Sequence, residues 1–185
     1  MTRIHLEKAA RILHRGGLIA YPTEAVYGLG CLPWERHAVE RLLDVKHRSW
    51  RKGLSLIAAN LEQLEPLVEF PAGPLAGELL RSWPGPVTWV LNARPGIPFW
   101  LTGGRDTLAV RITGHPMSRR LCETAASPLI STSANRSRRP PLRRHLHVRR
   151  EFGSRVDYVL AGALGGLDNP TMIRDGRTGA VLRAS

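Results

Sequence analysis

The sequence predicts an α/β fold built on a twisted, mixed sheet with flanking helices. Short apolar runs typical of buried strands alternate irregularly with segments whose apolar residues recur every three or four positions, as in amphipathic helices. The chain has 185 residues, 43% of them hydrophobic and 23% charged, so it can bury a core of ordinary size. No repeat or linker divides the chain, and we expect one domain over residues 1–185.

The first elements follow from apolar spacing and stop signals. The first helix has apolar residues at i, i+3, i+4 and i+7 from Leu6 and ends at Gly16 and the glycine after it. A short buried strand, Leu18–Tyr21, follows and is halted by Pro22, which cannot continue a strand ladder. An amphipathic helix is then predicted over Trp34–Val45.

The middle of the chain alternates strand and helix. Leu54–Ala58 is an apolar strand, and Asn60 with Gln63 forms a capping-box variant that predicts a third helix. A further short helix is predicted over 75–82. Two prolines and a glycine then break the chain, and 87–92 is the next strand.

The last part repeats this alternation. Thr107–Ile112 alternates in character as a strand does, and Pro116 starts a helix because proline suits the first helical position. The remaining predictions are a strand at 128–131, a basic helix at 142–152, and late strands at 156–160 and 180–183.

The charge is large and uneven. Lys and Arg total 27 against 15 Asp and Glu, a formal net charge of +12. Only three of the basic residues are lysines, and two of these fall in Lys46–Lys52. Between Arg136 and Arg155 there are eight arginines and one acid. Such a surface suits a polyanion such as RNA, or serves only solubility.

Several classes of protein are excluded. No apolar run reaches the roughly 18 residues of a membrane helix, and the N-terminus lacks a signal-peptide core. The two cysteines, Cys31 and Cys122, lie far apart, which excludes a disulfide scaffold and a cysteine zinc site and fits a reducing cytosol. The sequence contains no P-loop, GxGxxG, HExxH or GxSxG motif.

Two segments in the first third carry chemistry. After the first strand, Thr23 and Tyr27 could present hydroxyls to a small polar ligand, or belong to an ordinary turn. Lys46, Arg48 and Lys52 follow the second helix. They form either a clamp for phosphate or carboxylate or a solvated helix end, where basic residues are common.

Two more segments lie toward the C-terminus. Ser131–Asn135 places small polar residues at a strand exit, where they could hold phosphates, an amino acid or a ribose, or form a plain turn. No Ser-His-Asp pattern supports nucleophilic catalysis there. A strand bearing Thr171 could close a site from the far side, or be an edge strand with a polar turn.

In this order the four segments resemble the YrdC-like, or TsaC, family of threonylcarbamoyl-AMP synthases in its single-domain bacterial form. The intervening segments 54–60, 81–88, 100–103 and 108–112 also match. The resemblance implies a twisted α/β sheet around an open, positively charged cavity. It also implies that L-threonine, bicarbonate and ATP are combined into threonylcarbamoyl-AMP with release of pyrophosphate. A tRNA threonylcarbamoyl-transferase complex would then use the product to modify tRNA next to the anticodon.

The resemblance also carries site roles to positions of this sequence. Lys46 and Arg48 resemble the catalytic K-x-R element at the ATP phosphates, and Ser133 with Asn135 resembles its S-x-N partner. Further expected ATP contacts are Lys52, Thr107, Arg143 and Arg183. The expected L-threonine contacts are Thr23, Tyr27, Arg111, Ser131 and Thr171.

The resemblance further implies Mg²⁺ brought by ATP, no dedicated metal site and no tightly bound organic cofactor. The sequence departs from the family at Arg138, which stands where relatives commonly have glycine. Two alternatives stay open. One is an RNA-binding factor in tRNA or ribosome maturation, without synthase activity, that uses the basic stretch Arg136–Arg155. The other is a carbamoyl-transfer domain like that of hydrogenase-maturation proteins. We expect a cytoplasmic protein with no membrane contact.

Overall fold

The computed structural model describes residues 3–136 and 139–185. Its helices are α1 (Arg3–His14), α2 (Arg36–Lys46), α3 (Pro74–Ser82), α4 (Phe99–Thr102), α5 (Pro116–Thr124) and α6 (His145–Phe152). Its strands are β1 (Ile19–Pro22), β2 (Tyr27–Gly30), β3 (Ser55–Ala58), β4 (Val68–Glu69), β5 (Val87–Ala93), β6 (Thr107–Ile112), β7 (Leu129–Ile130), β8 (Thr132–Ser133), β9 (Tyr158–Val159), β10 (Met172–Asp175) and β11 (Val181–Arg183). Within these ranges, none of the helices has the length and apolar character needed to cross a bilayer.

The described strands form two mixed sheets. The smaller has the order β8-β2-β1-β9, and the larger has the order β11-β10-β5-β6-β3-β7 with β4 added beside β5. Parallel and antiparallel pairs occur in both: β1 runs parallel to β9 and antiparallel to β2, while β6 runs parallel to β3 and antiparallel to β5. The predicted α/β fold with a twisted, mixed sheet is therefore confirmed, with the strands divided between two sheets.

Two apolar clusters hold the sheets and helices together. In one, α1 and α5 pack over the two sheets through Leu13, Ile19, Ile57 and Leu121, all almost fully buried. In the other, α2 and the larger sheet share a core that includes the fully buried Trp89. Because both clusters draw residues from both sheets, the two sheets are fixed relative to each other.

The segment after β1 turns back as β2, a strand that the sequence did not predict. Thr23 and Val26 close the turn through a backbone hydrogen bond of 3.1 Å, and β2 pairs antiparallel with β1. Glycines at 28 and 30 weaken the strand signal. At Gly30 the glycine is required, because a Cβ there would overlap the carbonyl oxygen of Ile130.

The helix predicted from Asn60 is wrong: the segment forms turns instead. The capping contact itself is present, since the backbone N–H of Gln63 donates to Asn60 Oδ1 at 3.2 Å. Pro66 explains why no helix follows. It has no N–H to donate, and its ring would clash with the carbonyl group four residues earlier.

The basic helix begins later than predicted, at His145 instead of Leu142. The Leu142 N–H donates to Ala134 at 3.0 Å, and its carbonyl accepts from Tyr27 at 2.9 Å. These bonds tie residue 142 to β2, so its backbone groups are not available to a helix. Ala134 and Leu142 thereby lie beside β2 at the edge of the smaller sheet.

Candidate functional site

A cavity of about 440 Å³ opens between the two sheets. Every predicted site residue lines it except Thr107 and Arg143. The lining residues come from both sheets and from the end of α2, and the polar or charged ones are Thr23, Tyr27, Lys46, Arg48, Lys52, Ser55, Thr88, Arg111, Ser131, Thr132, Ser133, Asn135, Thr171 and Arg183. Five of these side chains are basic, and none of the described residues lining the cavity is acidic.

Lys46, the last residue of α2, is buried and joins the helix to the loop after β8. Its ammonium donates to the carbonyl oxygens of Ser133 and Asn135, the latter at 2.9 Å, and to Asn135 Oδ1 at 3.1 Å. An ammonium has three N–H donors, so all of them are used. Burial, and secondarily the charge of Arg48, lowers the pKa of Lys46 to about 8.

The loop partners of Lys46 are themselves fixed. Ser133 Oγ donates to Asn135 Oδ1 at 2.7 Å, and Asn135 Nδ2 donates to the Arg139 carbonyl at 2.6 Å. The lysine of the predicted K-x-R element therefore shares one hydrogen-bond network with the S-x-N element. Arg138, the departure from the family pattern, lies outside the described residues.

Arg48 and Lys52 add charge beside Lys46. His47 has a left-handed backbone (φ 48°) that ends α2 and turns the chain, so that Arg48 faces the cavity. Arg48 Nη2 donates to the Gly53 carbonyl at 3.0 Å, while its buried Nε has no hydrogen-bond partner among the described residues. Lys52, in a 3-10 turn, is exposed at the cavity wall.

Arg111 forms the cationic group at another part of the wall, on β6. It is only 5% exposed, and its Nη2 lies 3.2 Å from Glu24 Oε2. Its Nε and Nη1 are buried and meet no hydrogen-bond acceptor in the described ranges. A buried guanidinium with unused donors beside a cavity is suited to an anionic oxygen pair.

The predicted hydroxyl groups differ in what they can offer. Thr23 Oγ1 donates to the Val26 carbonyl at 2.7 Å, which leaves only its acceptor capacity for a ligand. Tyr27 OH donates to the Gly162 carbonyl at 2.6 Å and accepts from the Gly162 N–H at 3.0 Å. The Tyr27 hydroxyl is thus hydrogen-bonded to the backbone of Gly162, and the Tyr27 side chain forms part of the cavity wall.

Two predicted residues close the cavity from the larger sheet. Thr171 directly precedes β10, and its carbonyl accepts from Arg183 Nη2 on β11 at 2.7 Å. Burial, and then the nearby charge of Arg111, lowers the pKa of Arg183. Ser131, between β7 and β8, lines the cavity on the side of the smaller sheet.

Thr107 and Arg143 do not line the cavity. Thr107 is on the same strand face as Arg111, but four residues along a strand separate them by about 13 Å. Arg143 donates to the carbonyls of Leu167 and Asp168 at 3.1 and 2.8 Å. It holds that segment in place, so its donors are used away from the cavity.

Four polar residues of the site were not predicted as contacts from the sequence. Glu24 supports Arg111 from behind the wall, and Ser55, Thr88 and Thr132 line the cavity. Its position next to Thr23, in the segment after the first strand, is the feature of the sequence that could have indicated Glu24. Thr132 lies inside the predicted Ser131–Asn135 loop, and its buried Oγ1 has no partner among the described residues.

The described residues contain no cluster of three or more His, Cys, Asp or Glu side chains that could hold a metal ion. The basic stretch is mostly exposed, and Arg136 pairs with Glu151 at 2.6 Å. Both Cys31 and Cys122 are buried free thiols.

The chain is similar in sequence to proteins of one family. A family model described as "Telomere recombination", for the Sua5, YciO and YrdC proteins, matches residues 11–185. A protein of Nitrosococcus oceani named threonylcarbamoyl-AMP synthase is 53% identical over 175 residues, which cover 95% of each chain. A protein of the same name from Coxiella burnetii is 48% identical over 179 residues, or 96% of each chain.

A solved structure shares the fold. The crystal structure of P. abyssi Sua5 complexed with L-threonine superposes with a TM-score of 0.88 and 34% sequence identity. The match covers 96% of this chain and 53% of that one, so this chain spans about half the length of that protein.

Proposed function

The chain belongs to the Sua5/YciO/YrdC family, and on that premise we infer that it is a threonylcarbamoyl-AMP synthase. We propose that it forms threonylcarbamoyl-AMP from L-threonine, bicarbonate and ATP and releases pyrophosphate. One observation carries the proposal. A single cavity holds two separately built cationic groups, Lys46 with Arg48 and Arg111 with its unused donors, which suits a triphosphate and an amino-acid carboxylate.

We propose that L-threonine binds at the Arg111 side. The unused Nε and Nη1 donors of Arg111 supply the contact for its carboxylate. The side chains of Thr23, Ser131 and Thr171 line the same cavity and are the candidates for its amine and hydroxyl. Tyr27 supports this end through its ring, since Gly162 occupies its hydroxyl.

ATP is proposed to bind at the Lys46 side. Lys46, Arg48 and Lys52 bring positive charge to the phosphates, and Ser133 with Asn135 brings neutral donors and acceptors. Arg183, on the opposite wall, is a further candidate contact. Thr107 and Arg143 are not part of this proposal because neither lines the cavity.

The chemistry needs positioning more than covalent catalysis. The threonine amine forms a carbamate either from bicarbonate, with loss of water, or from dissolved CO₂, with loss of a proton to solvent. A carbamate oxygen then attacks the α-phosphorus of ATP and expels pyrophosphate. Both reacting groups are anionic, so cations on either side offset their repulsion and hold them in line. The structure assigns no general base, and none of the described lining residues is a carboxylate or a histidine.

Mg²⁺ is proposed to arrive with ATP. The donor set fits this, since the described lining residues include neutral oxygens such as those of Ser133 and Asn135 but no carboxylate. The ion would neutralise charge on the phosphates, and these two side chains are the candidates to contact its hydration shell.

We also propose a cytoplasmic site of action and transfer of the product to a tRNA threonylcarbamoyl-transferase complex. The buried free thiols of Cys31 and Cys122 are compatible with a reducing compartment. Contact of tRNA with Arg136–Arg155 stays a prediction, supported by the exposed arginines on α6.

The experiment measures pyrophosphate release in degassed buffer with each substrate omitted in turn. We expect release only when ATP, L-threonine and bicarbonate are all present. Release that does not depend on threonine, or no release at all, would overturn the proposal. Salt-sensitive RNA binding without any such turnover would favour the maturation factor instead.

A further inference from the structure

Glu24 is a buried acid placed behind the cavity wall. It is 5% exposed and does not itself line the cavity. Its Oε1 accepts from Thr113 Oγ1 at 2.8 Å and from the Gly114 N–H at 3.2 Å. Its Oε2 lies 3.2 Å from Arg111 Nη2 without any aligned hydrogen bond among the described residues, so charge attraction dominates this contact.

This arrangement places Glu24 at one nitrogen of Arg111, while two others are buried and have no hydrogen-bond partner among the described residues. A guanidinium has five N–H donors in a rigid fork. Glu24 faces Nη2, while Nε and Nη1 have no described partner. The carboxylate is itself held by two donors near the end of β6, so it cannot follow Arg111 if that side chain rotates.

Glu24 also sets the charge at this end of the cavity. Glu24 offsets the charge of Arg111, which leaves Arg183 as the other cation near it, whereas Lys46 and Arg48 have no described carboxylate beside them. A neutral pair with free N–H donors suits a singly charged carboxylate better than a multiply charged phosphate. The Lys46 end suits the phosphate.

We propose that Glu24 is a positioning residue that aims Arg111 at the substrate carboxylate and keeps phosphate groups away from the Arg111 end. The inference rests on the proposed function. It adds to that function an explanation of how the threonine carboxylate and the ATP phosphates bind at different ends of one cavity.

The test uses two variants with different expected behaviour. Glu24→Gln removes the charge, so Arg111 becomes an uncompensated cation. At saturating ATP, sulfate should then compete with threonine about tenfold more strongly than in the unaltered enzyme, with chloride matching the ionic strength. The threonine KM should rise about tenfold, while kcat at saturating threonine changes little.

Glu24→Asp keeps the charge but shortens the side chain. It should raise the threonine KM without the gain in sulfate competition. The matched control is Glu62→Gln, an exposed acid whose change should move neither quantity. Thermal unfolding of each variant identifies any loss of folded protein, and Glu24→Asp keeps the proposal testable if Glu24→Gln fails to fold.

The outcomes separate this inference from the proposed function. If the unaltered protein shows no threonine-dependent pyrophosphate release, the proposed function fails. If it shows that release but folded Glu24→Gln gains no sulfate competition, the sorting role is wrong. If folded Glu24→Asp has the ordinary threonine KM, the positioning role is wrong.

Discussion

The two ends of the cavity use their cations in opposite ways. At one end all three N–H donors of Lys46 form hydrogen bonds to Ser133 and Asn135. At the other end Arg111 is held by Glu24 while its Nε and Nη1 donors have no described partner. The Lys46 end must exchange internal hydrogen bonds for contacts to a ligand, whereas the Arg111 end is organised in advance.

The difference follows from the elements that carry each group. Lys46 is the last residue of α2, and its partners Ser133 and Asn135 lie at and just after the end of β8, an edge strand that pairs with β2. Arg111 lies inside β6, paired on both sides by β3 and β5, so its backbone cannot shift without disturbing the larger sheet. Groups on strands are placed more rigidly than groups at helix ends and in loops.

The largest expected effect is at Lys46. Lys46→Met removes the charge and leaves three acceptor oxygens of the loop without their donor, so both phosphate attraction and loop order are lost. We expect kcat/KM for ATP to fall about a thousandfold. Lys8→Met, at an exposed lysine on α1, is the matched control. A loss of less than tenfold in a folded Lys46 variant would mean that this end is not the phosphate end.

A smaller loss is expected at Arg111, and on the other substrate. Arg111→Lys keeps the positive charge beside Glu24 but loses the planar guanidinium and its two unpaired nitrogens at the cavity wall. The threonine KM should rise about a hundredfold while the KM for ATP stays within about threefold. Steady-state kinetics with each substrate varied would check this. Equal rises in the KM for threonine and the KM for ATP would contradict the assignment of the two substrates to different ends of the cavity.

The pH dependence distinguishes the two ends again. The pKa of Lys46, lowered to about 8, means that the ammonium is protonated at pH 7 and mostly neutral at pH 9. The affinity for ATP should therefore fall as pH rises, by up to about tenfold between these values. Calorimetric titration with ATP measures it; the terminal phosphate of ATP loses its last proton near the lower end of this range, which adds negative charge and can only oppose the fall. Lys46→Arg should flatten the slope, because guanidinium stays charged. A slope unchanged in that variant would assign it to another group.

The smallest effect is expected at Thr107, a residue that the sequence comparison assigned to the nucleotide. Thr107→Val preserves the shape of the side chain at the start of β6. The KM for ATP should stay within about twofold, because Thr107 does not line the cavity in which both substrates are proposed to bind. A tenfold rise would restore Thr107 to the site and show that the cavity extends further than its described lining.

The sequence predicted those parts of the site that lie in short, dense motifs. Lys46 with Arg48 and Ser133 with Asn135 are local patterns, and the structure joins Lys46 to the second pair by hydrogen bonds while Arg48 lines the same cavity. Glu24 was not predicted because its function depends on Arg111, 87 positions away. Nothing in local spacing indicates that pairing, which only the approach of β6 to the β1–β2 turn creates.

The elements of the fold were likewise predicted where local patterns determine them and were missed where tertiary contacts do. Helices with clear apolar spacing and strong end signals, such as α1 and α5, were predicted within a few residues. The helix expected at Asn60 does not form, because Pro66 prevents its continuation even though the capping contact is present. Strand β2 was missed because its glycines serve close packing against Ile130, a tertiary requirement that lowers the local strand signal.

The most direct test of the contrast between the two ends is calorimetric titration of the nucleotide-free protein with L-threonine. An amino-acid end organised in advance predicts that threonine binds without ATP, that Arg111→Lys weakens this binding, and that Lys46→Met leaves it unchanged. Threonine binding that requires ATP, or that Lys46→Met abolishes in a folded protein, would contradict the account.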